Sequence, residues 1–229
     1  MFDKKEAVFL LVAALVLGYA ISFKGITWTG WIIAAGLALL MLFIHHLGQK
    51  MTALFYDCSA ETNLWTIRQF WLAKKSHFGF EFPMWFATPI FLMLFSFGYV
   101  KWLAVTTFEP SPLPSRIKRV YSELTEWDIA MIAVGGLFFN AVAAVISKAL
   151  GYDSFAMLNL YFILFNLAPI SKLDGGKVFF GSPMLWIFCV VFALMLLLLL
   201  ETASLATLIL AAIAVALAAV VIYYISMNS

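Results

Sequence analysis

His45, His46, Gln49 and Lys50 close an apolar run that begins near residue 31. At 3.6 residues per turn, His45 and Gln49 stand at i and i+4 on one helix face, while His46 is rotated by roughly 100° from His45. A second group, Asn166, Pro169, Asp174, Gly175 and Gly176, interrupts another apolar run. There the proline and the glycine pair break a helix and leave one carboxylate near the membrane surface. Ionisable groups in such surroundings are costly and point to function by default. An imidazole, with an ordinary pKa of about 6.5, is suited to moving protons at neutral pH. Plainer readings exist for each group. A histidine pair at the end of a span also suits the headgroup level, and Asp-Gly-Gly is a common turn. Asn140, in the middle of the apolar run 128–150, also suits a helix–helix hydrogen bond.

The elements that position these residues follow from composition. Of 229 residues, 65% belong to the set A, V, I, L, M, F, W, Y and C, and 11% are charged. Soluble domains have about 45–50% of a slightly wider apolar set and about 25% charged residues. A soluble chain this apolar could not cover its surface with polar groups. A soluble enzyme, a disordered chain and a disulfide-rich secreted module are thereby excluded. The sequence predicts an α-helical polytopic membrane protein in contact with the lipid bilayer. A net charge of +2, with no basic run interleaved with aromatics, gives no reason to expect a nucleic-acid partner. Cys58 and Cys189 form no CxxC, so neither a disulfide framework nor a thiolate zinc site is expected. Asp3, Lys4, Lys5 and Glu6 precede the first apolar run without a small-residue cleavage signal, which predicts an uncleaved first span.

Runs long enough to span lie at 7–23, 31–49, 128–150, 154–170, 184–200 and 203–225, the last two joined by a tight hairpin at Glu201 and Thr202. A seventh apolar stretch, 84–100, follows Pro83 and is broken by Pro89 and Gly98. If it is re-entrant and the N-terminus is cytoplasmic, Lys4, Lys5, Lys50, Arg68, Lys74, Lys75, Lys101, Arg116, Lys118, Arg119, Lys172 and Lys177 share the cytoplasmic side. Only Lys24 and Lys148 then lie opposite. The expectation is therefore about six transmembrane helices, one re-entrant segment and both termini cytoplasmic, a multi-pass integral membrane protein. Short alternating or β-branched patterns at 61–72 and 101–108 predict a small cytoplasmic-side sheet. Residues 109–115, with three prolines in seven positions, read as a polyproline-like connection. No repeat is visible, and the expectation is a single domain over 1–229, with a core at 30–180 and a C-terminal hairpin at 184–225. In this topology the two polar clusters lie on the same side at similar depth. His45 and Asp174 are then expected to approach within about 5 Å, close enough for one hydrogen-bonded network.

The string from Asn166 through Leu173, Asp174, Gly175, Gly176 and Lys177 resembles a signature of the site-2 protease family of intramembrane zinc metalloproteases. Gly135-Gly136-Leu137-Phe138-Phe139-Asn140 is similar to that family's Gly-Pro-Leu-x-x-Asn turn, with Gly136 where the family has proline. His45-His46-Leu47-Gly48-Gln49-Lys50 sits where the family carries His-Glu-x-x-His. The resemblance implies zinc held by the first histidine, here His45, and by the distant carboxylate, here Asp174. It places His46 at the general-base position and Gln49 at the second metal-ligand position, both altered. Asn140 and Asn166 match positions that the family is thought to use in binding substrate.

Three protein ligands would leave a fourth position for a metal-bound water of pKa about 7, and a neighbouring Glu would take its proton. Gln49 offers a neutral amide oxygen, a far poorer zinc ligand than imidazole. His46 cannot face a metal as ligand and a water as base at once. The sequence therefore predicts a catalytically impaired site-2-protease-like protein, a pseudoprotease. Zinc would be weakly held or absent, and the protein would bind a transmembrane helix of a partner. The alternative is an active but atypical zinc metalloendopeptidase that cleaves transmembrane substrates. A transporter or channel would show paired interrupted spans in the two halves, and none is visible.

Overall fold

The computed structural model describes residues 2–69, 77–114, 123–170 and 172–228. Helix α1, Lys4–Ser22, opens with a capping box in which the Asp3 side chain and Glu6 each satisfy a backbone N–H of the first turn. It ends in a 3₁₀ turn at Phe23–Gly25. Helix α2, Trp28–Phe55, continues without a break past the expected end at residue 49, so its polar cluster lies inside the helix. Strands β1 (Cys58–Leu64), β2 (Ile67–Gln69) and β3 (His77–Phe82) follow, then helix α3 (Met84–Phe95) and strand β4 (Thr106–Pro112). Helix α4, Glu126–Ala149, starts at a second capping box made by Thr125 and Asp128. Helices α5 (Asp153–Asn166), α6 (Asp174–Gly181), α7 (Pro183–Leu199) and α8 (Leu205–Asn228) complete the described chain.

Among the described residues, four helical segments are long and apolar enough to cross a membrane: Lys4–Gly25, Trp28–Phe55, Glu126–Ala149 and Ala206–Ile225. The chain is a helical membrane protein by this measure. The runs expected to span at 154–170 and 184–200 form helices of 14 and 17 residues. The first is short because Pro169 forbids continuation past Asn166, and the chain turns instead.

The chain divides into two compact units, residues 1–43 with 61–109 and residues 44–60 with 110–229. In the first, the buried Glu6 carboxylate accepts from Asp3 N and, through its other oxygen, from Thr62 N, each at 2.7 Å. That contact ties β1 to the start of α1. Trp65 closes a long excursion: its N–H donates to Val105 O, and its carbonyl accepts from Trp85 N, both at 2.9 Å. The intervening chain thus leaves and returns to one point. It turns at Phe97 and Gly98, both at positive φ. Near this turn Lys101 Nζ donates to Ile21 O at 2.9 Å, and Lys24 lies over the Tyr99 ring. Lys101 therefore sits beside Lys24 at the C-terminal end of α1, whereas the charge count had set the two on opposite sides. The excursion has only begun its return at residue 101. Lys74, Lys75, Arg116, Lys118 and Arg119, which carried much of that count, lie outside the described residues.

Strands form at the expected stretches 61–72 and 101–108, but β3 was not expected, and among the described residues the strands make two two-stranded sheets rather than one, β1 with β4 and β2 with β3. The second is antiparallel, with Ile67 opposite Phe82 and Gln69 opposite His77. The proline-rich stretch expected as a connection instead contributes Glu109–Pro112 to β4. Prolines are tolerated there because a strand with one partner leaves its other edge unpaired.

In the second unit α4 packs on α5 and α6, and α7 packs on α5, α6 and α8. Leu137, Ala141, Leu160, Ile163, Ala193 and Leu196 form its apolar centre. The expected hairpin is present, with Thr202 N and Ala203 N both donating to Leu199 O. Lys50 Nζ, one turn beyond the histidines, donates to Ala60 O and fixes the start of β1 against α2.

Candidate functional site

The second unit buries an unusual set of polar side chains. His45, His46, Gln49, Asn140, Asn159, Asn166 and Asp174 are each 2% exposed or less. Burial of this kind is tolerable only when hydrogen bonds replace lost water. Helix α2 supplies His45, His46 and Gln49, α4 supplies Asn140, α5 supplies Asn159 and Asn166, and α6 begins at Asp174.

Two glycines let these elements meet. Helix α4 crosses α2 so closely that a Cβ on Gly136 would lie 2.7 Å from His45 Cε1 and 2.7 Å from Gln49 Cγ. Residues 135–140 are continuous helix within α4, as the apolar run 128–150 predicts. A Cβ on Gly175 would strike the Leu167 and Ala168 carbonyls, so glycine there is what allows the turn after α5 to carry Asp174 inward. Trp186 Nε1 donates to Leu167 O at 2.8 Å and holds the same turn from α7.

The geometry brings the two clusters together. His45 Nε2 and Asp174 Oδ2 are 2.8 Å apart, well inside the expected approach. His45 Nδ1 meets Asn140 Oδ1 at 2.8 Å, Asn140 Nδ2 donates to Asn159 Oδ1 at 2.8 Å, and Asn159 Nδ2 donates to Phe155 O at 2.8 Å. The direction of this chain is set at its far end. A backbone carbonyl only accepts, so each amide in turn presents nitrogen outward and oxygen inward. His45 Nδ1 therefore carries a proton, and Nε2 is the ring atom aimed at Asp174. The ring also packs edge-on against Phe162, with centroids 4.9 Å apart.

Gln49 lies across the same point. Its Nε2 donates to Asp174 Oδ1 and Oδ2 at 3.1 Å each and approaches His45 Nε2 at 3.0 Å. Its Oε1 faces His46 Nδ1 at 2.7 Å. The Asp174 carboxylate accepts, so Gln49 presents nitrogen to it, and His46 Nδ1 is the donor to Gln49 Oε1.

These facts bear on each sequence expectation. His45 and Asp174, implied as zinc ligands, do meet. Gln49, implied as a weak oxygen ligand, turns its nitrogen to the centre and has its oxygen engaged elsewhere. An amide nitrogen offers no lone pair to a metal, so the donor set does not fit zinc as it stands, with only His45 and Asp174 presenting ligand atoms. His46, at the implied base position, faces the Gln49 amide. Asn140, implied for substrate, has both ends of its amide in protein hydrogen bonds behind His45. Asn166 is buried in α5, with Nδ2 donating to Phe162 O at 3.0 Å. Among the described residues, no group of three or more His, Cys, Asp or Glu side chains is arranged to hold a metal. Asn159 was not anticipated, although an amide in the middle of an apolar helix was the available signal. No family model, curated protein or solved structure matches the chain.

Proposed function

We propose that the protein is a non-catalytic membrane protein of site-2-protease-like architecture that holds a transmembrane helix of a partner. The observation that carries the reading is the buried meeting of His45 Nε2 and Asp174 Oδ2 at 2.8 Å, with an amide nitrogen where a third metal ligand would be needed. Histidine and aspartate drawn from distant parts of the chain support an inherited metalloprotease framework. The changed positions 46 and 49 remove the base and the ligand that hydrolysis would require.

Reconstituted in lipid vesicles, the full chain should associate with a fluorescent single-span peptide and leave it intact on prolonged incubation. Cleavage that disappears in His45→Ala would refute the reading. The stretch expected to re-enter at 84–100 becomes, on this reading, the outward leg of an excursion that returns by Val105, with the Lys24 and Tyr99 end on the non-cytoplasmic face. In a background without Cys58 and Cys189, cysteines at Lys24 and Tyr99 should label from one side of the membrane. Cysteines at Asn63 and Glu109 should label from the other. Labelling of Tyr99 and Glu109 from one side would remove the re-entrant topology.

A further inference from the structure

We infer that the Gln49 carboxamide stands in for a cation, holding His45 and Asp174 together permanently and without metal. Three acceptor atoms converge on Gln49 Nε2: His45 Nε2 at 3.0 Å and both Asp174 oxygens at 3.1 Å. An amide nitrogen has two protons, one for the imidazole and one to share between the carboxylate oxygens. A carboxylate oxygen and an imidazole nitrogen only 2.8 Å apart require positive charge on or between them. The NH2 group supplies part of it from a fixed position on α2.

The orientation is itself the lock. Turning the Gln49 amide over would set Oε1 against the Asp174 carboxylate, two acceptors face to face, and Nε2 against His46 Nδ1. His46 would then have to give up the Nδ1 proton with which it now serves Gln49 Oε1. Only a cation placed between Gln49 and Asp174 would make that arrangement favourable. A metal must therefore reverse one amide and move one proton before it can bind, all in a site closed to water. Meanwhile protein hydrogen bonds alone join α2, α4, α5 and α6 through Asn140, Asn159 and Asp174.

This inference rests on the non-catalytic reading of the same site, and its test reads folding rather than cleavage. The full chain in detergent is melted alone, with zinc chloride, and with a chelator. Neither addition should move the wild-type Tm by more than about 1 °C, a shift worth well under 1 kcal/mol for a chain of this size. Gln49→Leu should melt lower and ignore zinc, because it leaves the carboxylate and imidazole unbridged. Gln49→Glu should also melt lower without metal, since two carboxylates would face each other, and should recover on adding zinc. A wild-type Tm that falls with chelator, or about one zinc bound per chain, would overturn the inference. So would Gln49→Leu melting with the wild type, or Gln49→Glu indifferent to zinc. If Gln49→Leu does not accumulate, the wild type and Gln49→Glu still decide. Peptide cleavage by the metal-free chain would refute the non-catalytic reading and leave the amide lock intact. Chelator-sensitive melting would refute the lock whatever the peptide result.

Discussion

The two units use buried and half-buried polar groups in opposite ways. In the first unit they act singly: Glu6 fastens Thr62 to the start of α1, and Lys101 fastens to the backbone at its other end. Each ties a side chain to a backbone group, so each replaces a hydrogen bond the chain would otherwise lack. In the second unit they converge. His45, Gln49, Asn140, Asn159 and Asp174 bond chiefly to one another, and every member depends on the orientation of the next. A staple needs only a donor and an acceptor in reach. A network of this kind constrains several helices at once and is worthless when half made. That difference marks the second unit as the place where one change should be felt by several helices at once.

If the comparison holds, the largest loss should come from Asp174→Ala. It removes the acceptor of both Gln49 bonds and the partner of His45 in one step. Breaking a buried charged contact from one side costs about 3–5 kcal/mol. Tm in detergent should fall by about 10 °C, and a fall no larger than that of a surface substitution would deny the network its role.

Next is Gly136→Ala, where a methyl would enter space already held by His45 and Gln49. Overpacking of that kind costs about 1–3 kcal/mol. The control lies in the other unit, on the same helix as the histidines. Gly36 has open space where its Cβ would be, so Gly36→Ala should be neutral or gain up to about 1 kcal/mol of helix propensity. Equal melting of the two variants would mean that the close crossing at Gly136 is not constrained.

Glu6→Ala should cost about 1–2 kcal/mol, the price of one lost helix cap and one buried N–H without a partner. Glu6→Gln should recover only part of this. Its single oxygen can serve either Asp3 N or Thr62 N, and its NH2 would face the other donor. Thermal melting of both variants against wild type gives the order.

Much of this arrangement is legible in the sequence, and the exceptions share a cause. Apolar run length located α2, α4 and α5 but not the short α6 that begins at Asp174, and the i, i+4 spacing put His45 and Gln49 on one face. The break at Pro169 and the glycine pair located the turn that brings in Asp174. The expected approach of His45 and Asp174 within about 5 Å is met at 2.8 Å. What could not be read was orientation. Which end of the Gln49 amide faces inward is set by a carboxylate 125 residues away. Asn159 escaped notice although Asn140, an amide in the same kind of setting, was singled out; what joins the two is a contact between helices. Glu6 reads as a terminal charge until Thr62 is seen above it. Lys101 was assigned to the wrong end of α1 because the depth of an excursion depends on where it turns, here at Gly98, and not on its length.

The smallest effect is expected at Lys101, and its sign is informative. Burial, with Lys24 as the lesser cause, holds the Lys101 pKa below its ordinary value. The unfolded chain therefore binds the proton more tightly than the folded one. Stability gained from this difference is complete above the unfolded pKa of about 10.4 and is lost as pH falls through the lower folded value. Neutral Lys101 still donates to Ile21 O, so the staple survives deprotonation while the charge penalty disappears. Tm should consequently rise slightly, relative to Lys101→Met, as pH is raised towards the unfolded pKa of about 10.4. Lys24→Met should shrink that rise without abolishing it, since it removes only the lesser cause. At neutral pH, Lys101→Met gives up one bond to a helix C-terminal carbonyl and should cost about 0.3–1 kcal/mol. A pH slope in Lys101→Met identical to wild type would show that Lys101 is not the group responsible. A loss as large as that of Asp174→Ala would show that the first unit, too, depends on a cooperative centre.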